Sequence, residues 1–172
     1  MAAGMSEITD FYCGDGRDHR GRSLDDICRF DATRLETVHD FVQWLFPLPE
    51  ASAFNAFAPL LTDDDIAAIR GSAVAQDRLR QALAAMGRRL GFTVDGDAVA
   101  FPAGKQAPDW FRDGDHNTLR VTRMIRSLHL LSDSALAAGL QDQVLALAER
   151  WPGRIGPRTR HFWQTARDDQ PG

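Results

Sequence analysis

The residues from His116 to Leu128, HNTLRVTRMIRSL, constrain the fold of this chain more than any other stretch. Four apolar residues fall at helical spacing and predict one buried face: Val121, Met124, Ile125 and Leu128. Four polar residues recur at i, i+4, i+7 and i+11, which places them on a second face: His116, Arg120, Arg123 and Ser127. Asn117 is the predicted N-cap, after an acidic run that ends at Asp115. The pattern therefore predicts an amphipathic helix that also carries a polar stripe.

This polar stripe has the composition of an anion site. The first amides of a helix are free to donate hydrogen bonds, and arginine binds carboxylates through two parallel hydrogen bonds. A structural alternative is that Arg120 and Arg123 pair with Asp40, Glu36 or Asp113 and hold loops against the core. The sequence leaves both interpretations open.

Capping signals and helical periodicity recur along the rest of the chain. Helices are predicted after six capping positions: Ser23, Asp31, Thr62, Ser72, Ser132 and Gly156. The helix after Asp31 is predicted to run from Ala32 to about Leu45. Only Phe92 to Phe101 alternates like a β-hairpin, with a turn at Asp95-Gly96. We predict an all-α fold, a single compact domain of about seven helices with one small β-hairpin.

The predicted helical domain covers residues 11–167, between a flexible N-terminus at 1–10 and a flexible tail at 168–172. The chain has 172 residues and a net charge of −4, which argues against a nucleic-acid partner. No apolar run has the length of a membrane helix, and the N-terminus lacks the pattern of a signal peptide. We therefore expect a cytoplasmic protein with no membrane partner.

Two segments outside the organising helix are candidate parts of a site. The glycine-rich residues 11–22 contain Arg17 and read as a loop that folds over a site. Residues 44–49, Trp-Leu-Phe-Pro-Leu-Pro, end the preceding helix because Pro47 cannot extend it. This apolar run is either a plug in the core or the wall of a pocket.

Three segments together resemble the conserved N-terminal domain of the opioid growth factor receptor family. They are FYCGDGRDHRGRSLDDI, HDFVQWLFPLPE and HNTLRVTRMIRSL, and the likeness runs from about Phe11 to Phe162. The motif residues that the resemblance carries over are His39, Gln43, Trp44, Phe46, Pro47, His116, Asn117, Arg120, Thr122 and Arg123. The resemblance implies the fold more strongly than the function.

Vertebrate members of this family are described as soluble nuclear proteins that bind an enkephalin peptide. This chain differs because it lacks a basic nuclear-targeting run and a repeat region. It resembles a short bacterial form of the family, for which a role in biosynthesis is our expectation. A homodimer is one alternative for its oligomeric state.

The first functional hypothesis is a cofactor-free enzyme that acts on an anionic or enolisable small molecule. The predicted catalytic residues are His39, His116, Arg120 and Arg123. The arginines would stabilise a carboxylate or enolate, and a histidine would move a proton near neutral pH. Lyase, cyclase or isomerase chemistry fits: dehydration, isomerisation, or conjugate addition with ring closure. The predicted substrate-binding residues are Asp40, Gln43, Trp44, Phe46, Asn117 and Arg17.

The second hypothesis is a binding module without turnover, in which the same pocket holds a small anionic ligand or a peptide. Neither hypothesis requires a metal or an organic cofactor. The chain contains no HExxH spacing and no CxxC knuckle, so we expect no metal site.

Overall fold

Nine helices and one antiparallel two-stranded sheet occur in the computed structural model, which describes residues 5–132 and 135–168. In chain order they are α1 (Glu7–Cys13), α2 (Leu24–Cys28), α3 (Ala32–Thr37), α4 (Val42–Leu45), α5 (Asp63–Arg70), α6 (Ala73–Leu90), β1 (Thr93–Asp95), β2 (Ala98–Ala100), α7 (His116–Leu131), α8 (Leu136–Arg150) and α9 (Pro157–Thr165). The mostly α-helical architecture and the single small hairpin confirm the predicted fold class.

Short polar side chains at the helix ends explain why the helices begin where they do. Ser23 and Thr62 each accept a hydrogen bond from the backbone N–H three residues later. The carboxylates of Asp26 and Asp65 in turn accept a hydrogen bond from the backbone N–H of the cap residue, which completes two capping boxes. At the end of α6, Gly91 adopts φ +91°, a left-handed conformation that favours glycine.

Helix α1 is one of the two additions to the seven predicted helices. It begins at Glu7, after Ser6 as N-cap, and buries Ile8 and Phe11. A helix therefore occupies part of the N-terminal segment for which we predicted flexibility. The other boundaries stay predictions, because residues 1–4 and 169–172 lie outside the described residues.

The second addition arises because the helix predicted from Ala32 to about Leu45 is interrupted. It forms α3 and α4, and between them Val38 adopts an extended conformation with φ −91° and ψ 129°. The Val38 carbonyl accepts a hydrogen bond from the Arg120 guanidinium at 2.9 Å. This distant donor satisfies a carbonyl that a continuous helix would satisfy locally.

Helix α7 lies between α5, α6, α8 and α9, and its predicted apolar face is fully buried. Its N-cap is Asp115, whose carboxylate accepts from the Asn117 N–H at 2.9 Å, so the predicted cap at Asn117 is wrong by two positions. Trp163 of α9 is fully buried and donates to the Thr118 carbonyl at 3.2 Å. Truncating such a side chain costs about 3–5 kcal/mol, so this contact fixes α9 on α7.

No helix among the described residues combines the length and the apolarity needed to span a bilayer. The start predicted for α8, at Asp133, lies outside the described residues. The hairpin pairs Asp95 with Ala98 and turns at Gly96, which has φ +56°.

Candidate functional site

A cavity of about 730 Å³ lies beside the polar stripe of α7. It is bounded by α7, by the segment that follows α4, and by the C-terminal end of α9. Its volume is within the range of small-molecule sites. The predicted site residues and motif residues that line it are His39, Gln43, His116, Arg120, Thr122 and Arg123. The structure therefore brings the four predicted catalytic residues to one cavity.

The exposed apolar surface of the cavity comes from residues that the sequence analysis missed, whereas its buried apolar lining includes Leu48 of the apolar run at residues 44–49. Phe54 is 82% exposed, Leu119 50% and Phe162 37%, and all three line the cavity. Exposed apolar side chains grouped in one place are typical of binding surfaces. The sequence contained one signal for this exposed surface, because Leu119 is an apolar residue that lies off the apolar stripe of α7. Phe54 offered none, since it belongs to a connector without periodicity.

Arg120 is fixed by four contacts from its two terminal nitrogens. Nη1 donates to the Leu35 carbonyl at 2.7 Å and to Asn117 Oδ1 at 3.3 Å. Nη2 donates to the Val38 carbonyl at 2.9 Å and lies 3.4 Å from His39 Nδ1. Burial lowers the pKa of Arg120, and the nearby carboxylates oppose this effect only in part. Arg120 thus holds the end of α3 in place.

Arg123 is less completely satisfied than Arg120. Its Nε donates to the Phe46 carbonyl at 2.7 Å, whereas its buried Nη2 has no hydrogen-bond partner in the described residues. Burial and the neighbouring charge of Arg126 lower the pKa of Arg123 to about 10. A buried cationic N–H without an acceptor is energetically costly, and an anion in the cavity would offset that cost.

The ion-pair alternative for these two arginines does not hold in the described part of the chain. Glu36 forms its ion pair with Arg89 and lies 3.3 Å from His116 Nε2, and Glu50 forms its pair with Arg126. No described carboxylate pairs with Arg120 or Arg123, so the two guanidinium groups carry charge that these residues do not neutralise.

His39 and His116 both line the cavity and contact each other edge to face, with ring centroids 5.2 Å apart and the planes at 66°. His39 follows α3 and belongs to no helix. Partial burial, the charge of Arg120 and the His116 ring together lower the pKa of His39. The pair is therefore asymmetric, since only His39 has a cation against its ring.

Two carboxylates lie beside His116, whereas a cation lies beside His39. Its Nε2 lies 3.3 Å from Glu36 Oε1, without the geometry of a hydrogen bond, and its Nδ1 lies 3.7 Å from Asp115 Oδ1. Glu36 is oriented by Arg89 Nε at 2.6 Å and by Asn117 Nδ2 at 3.1 Å. Burial raises the pKa of Glu36, but these two hydrogen bonds outweigh it and the net pKa is lowered. Glu36 is therefore an anion beside His116 at neutral pH.

Five of the predicted substrate-binding residues lie outside the cavity lining. Trp44 and Phe46 are 3% and 0% exposed and belong to the core, so the core-plug interpretation holds for their side chains. Asn117 is buried behind the cavity, where it contacts Glu36 and Arg120. These residues support the site from behind and do not form its wall.

Asp40 and Arg17 belong to a separate polar region. Asp40 accepts hydrogen bonds from Arg20 Nε at 3.0 Å and Arg22 Nη2 at 2.8 Å. Arg17 is exposed and pairs with Asp26 at 3.3 Å. The arginines of the glycine-rich loop therefore pair with carboxylates of α2 and of the segment after α3, and neither predicted residue lines the cavity. Across residues 5–132 and 135–168, no group of three His, Cys, Asp or Glu is arranged to hold a metal ion.

The fold and the site define a mostly α-helical domain whose cavity combines an apolar wall with arginine and histidine. A family model described as the opioid growth factor receptor (OGFr) conserved region matches residues 22–148. The match covers more than half of the chain, and the chain belongs to this family. It extends from the end of the glycine-rich loop into α8, so α9 and its cavity residues lie outside it.

Individual relatives agree with the family match. The opioid growth factor receptor of Rattus norvegicus is 34% identical over 98 residues, which cover 55% of this chain and 17% of the relative. The human opioid growth factor receptor is 36% identical over 101 residues, covering 55% and 14%. Opioid growth factor receptor-like protein 1 of Xenopus tropicalis is 31% identical over 101 residues, covering 57% and 20%. The match spans a fifth or less of each relative. No solved structure gives a significant match.

Proposed function

We propose that the cavity beside α7 binds a small molecule with an anionic group and an apolar body. The observation that carries this proposal is the buried Nη2 of Arg123, which has no acceptor in the described residues. Charge-assisted hydrogen bonds to a carboxylate would supply that acceptor. Phe54, Leu119 and Phe162 supply the apolar surface that the rest of such a molecule would cover.

The names of the relatives also favour binding. Two of them are called receptors for an opioid growth factor, and the third is called receptor-like. A receptor role for this chain is an extension of those names, because the matched region is a small part of each protein. A peptide carboxylate and a small organic acid share the anionic group that the cavity would recognise.

Isothermal titration calorimetry with a panel of alkyl and aromatic carboxylates tests this function. We expect binding of carboxylates over the uncharged amides of the same shape, and a roughly 10- to 100-fold weaker affinity in Arg123→Met. Arg70→Met removes the same charge from α5, outside the cavity, and should leave the affinity unchanged. Equal affinity of wild type and Arg123→Met would contradict the proposal.

The histidine pair favours a second function, which is proton transfer on the bound molecule. His116 beside the Glu36 carboxylate can exchange a proton with a substrate, and the cationic side of the cavity can stabilise an enolate. The reactions that need only these steps are dehydration, isomerisation, and conjugate addition with ring closure. Lyase, cyclase or isomerase activity in a biosynthetic pathway is therefore the catalytic alternative.

Mass spectrometry of each bound carboxylate after incubation separates the two functions. An unchanged ligand supports the binding module, whereas a product that forms only with protein supports the enzyme. Replacing an essential acid or base lowers the rate by roughly 10²–10⁴-fold, which is the loss expected for His116→Ala. Full turnover in both His116→Ala and Arg120→Ala would exclude this site as the catalytic centre.

Three related expectations stay predictions: a cytoplasmic location, a homodimer, and a bacterial source. None of them depends on contacts in the site.

A further inference from the structure

We infer that His39 presents a fixed N–H donor to the cavity, so that the bound molecule carries an oxygen acceptor at His39 as well as an anionic group at Arg123. This inference rests on the proposed function and specifies its ligand. The ligand would be an elongated molecule with an oxygen-bearing group at each end of an apolar body.

The contact between Arg120 and His39 determines which ring nitrogen carries the proton. Arg120 Nη2 lies 3.4 Å from His39 Nδ1. A guanidinium group only donates, so Nδ1 must accept, and the proton of the neutral imidazole lies on Nε2. The guanidinium cannot turn away, because the Leu35 and Val38 carbonyls hold it at 2.7 and 2.9 Å. Arg120 is thus a positioning residue for His39.

The surroundings of His39 also favour the neutral ring, although individual charges oppose one another. Arg120 and His116 on α7 oppose a positive charge on the ring, whereas Glu36 on α3 and Asp40 favour it. Partial burial adds to the effect of the two basic groups, and the net pKa of His39 is lowered. The ring is therefore neutral at physiological pH, and Nε2–H is the group that remains for a ligand.

The spacing along α7 separates the two ligand-binding ends. His39 contacts two residues of α7, His116 and Arg120, which lie seven and three positions before Arg123. At 1.5 Å per residue these spacings are about 10 and 5 Å along the helix axis. The inferred ligand therefore places separate oxygen-bearing groups at His39 and at Arg123.

Long-range ¹H–¹⁵N NMR of the histidine rings tests the tautomer in the free protein. We expect the Nε2–H pattern for His39 at neutral pH. Arg120→Met should produce a mixture of tautomers, and Arg126→Met should not. An Nδ1–H pattern in the wild-type protein would overturn the inference whether or not Arg120→Met folds.

Binding of octanoate and 7-oxooctanoate tests the ligand class. The added ketone should tighten binding by about 3- to 10-fold in the wild-type protein, the effect of one neutral hydrogen bond. This gain should disappear in His39→Leu and persist in part in His39→Gln, which keeps an N–H donor. If both acids bind equally in the wild type, the inference is overturned while the proposed anion site stands. If neither acid binds, the proposed function fails, and the NMR experiment still decides the tautomer.

Discussion

The glycine-rich segment forms a loop at residues 14–22, after the end of α1. This loop and the cavity beside α7 both contain arginines, but the two regions satisfy the guanidinium groups differently. Every arginine of the loop meets a carboxylate: Arg17 with Asp26 at 3.3 Å, Arg20 with Asp40 at 3.0 Å, and Arg22 with Asp18 at 2.6 Å. Arg120 and Arg123 donate instead to backbone carbonyls, which carry no net charge. Carboxylates neutralise the arginines of the loop, whereas the arginines of the cavity retain their positive charge.

This difference separates a structural use of arginine from a functional one. In the loop, the ion pairs fix the backbone. They also occupy both carboxylate oxygens of Asp40, the carboxylate nearest to His39 in sequence. In the cavity, hydrogen bonds to carbonyls fix the side chains without neutralising them. A preorganised cation that keeps its charge is the arrangement that an anionic ligand requires.

Asp18 should be the most sensitive position of the paired region. Its side chain is fully buried, and it accepts hydrogen bonds from the backbone N–H groups of Arg20 and Arg22 and from Arg22 Nε. We expect Asp18→Ala to lower the free energy of unfolding by about 3–5 kcal/mol, because it leaves two backbone N–H groups and the Arg22 Nε–H without their acceptor, although Arg22 keeps its pair with Asp40. Urea denaturation measures the change. A loss below about 1 kcal/mol would show that the loop does not depend on its pairs.

Arg123 should behave in the opposite way. We expect Arg123→Met to leave the free energy of unfolding unchanged or to raise it by up to about 3 kcal/mol, since it removes a partly buried charge that has no carboxylate partner in the described residues. Loss of the hydrogen bond to the Phe46 carbonyl reduces this gain in the free energy of unfolding by about 1 kcal/mol. Arg22→Met is the matched control and should destabilise the protein. If Arg123→Met destabilises it as much, the contrast between the two regions is invalid.

Acid should weaken the loop through Asp40. Burial raises the pKa of this carboxyl, but hydrogen bonds from Arg22 and Arg20 outweigh it, and the net pKa is lowered. Because the folded pKa lies below the unfolded one, this stabilisation is complete above about pH 4 and is lost as the pH falls through the folded pKa. We expect Asp40→Asn to reduce the acid dependence of the free energy of unfolding. An unchanged dependence would contradict this role.

Arg17 should have the smallest effect. Its side chain is 58% exposed and pairs with a half-exposed Asp26, so solvent screens the interaction. We expect Arg17→Ala to change the free energy of unfolding by less than about 0.5 kcal/mol and the affinity of the cavity for carboxylates not at all. A measurable loss of affinity would return Arg17 to the set of ligand-binding residues.

Much of the fold could be predicted because its signals are local. Helix α6 runs from the Ser72 cap to Gly91, as the caps and the apolar spacing predicted. The break between α3 and α4 was not predictable in this way. It depends on Arg120, which is 82 residues from Val38 in the sequence and satisfies its carbonyl through space.

The candidate site was predicted only in part, because some of its residues are distant from one another in sequence. The polar stripe of α7 placed His116, Arg120 and Arg123 on one side of a helix, and the structure keeps them there. The wall was missed because Phe54 and Phe162 come from a connector and from the last helix, and periodicity within α7 contains no information about either. Trp44 was assigned to the ligand, but packing against Phe11 holds it in the core.

By itself, the amino-acid sequence determined most of the helices and their caps, the hairpin and the polar stripe, because these depend on residues a few positions apart. The tertiary structure alone decided which arginines are neutralised. Charge compensation depends on distance in space, and the chain folds so that the carboxylates near the loop meet its arginines while none of those described pairs with Arg120 or Arg123.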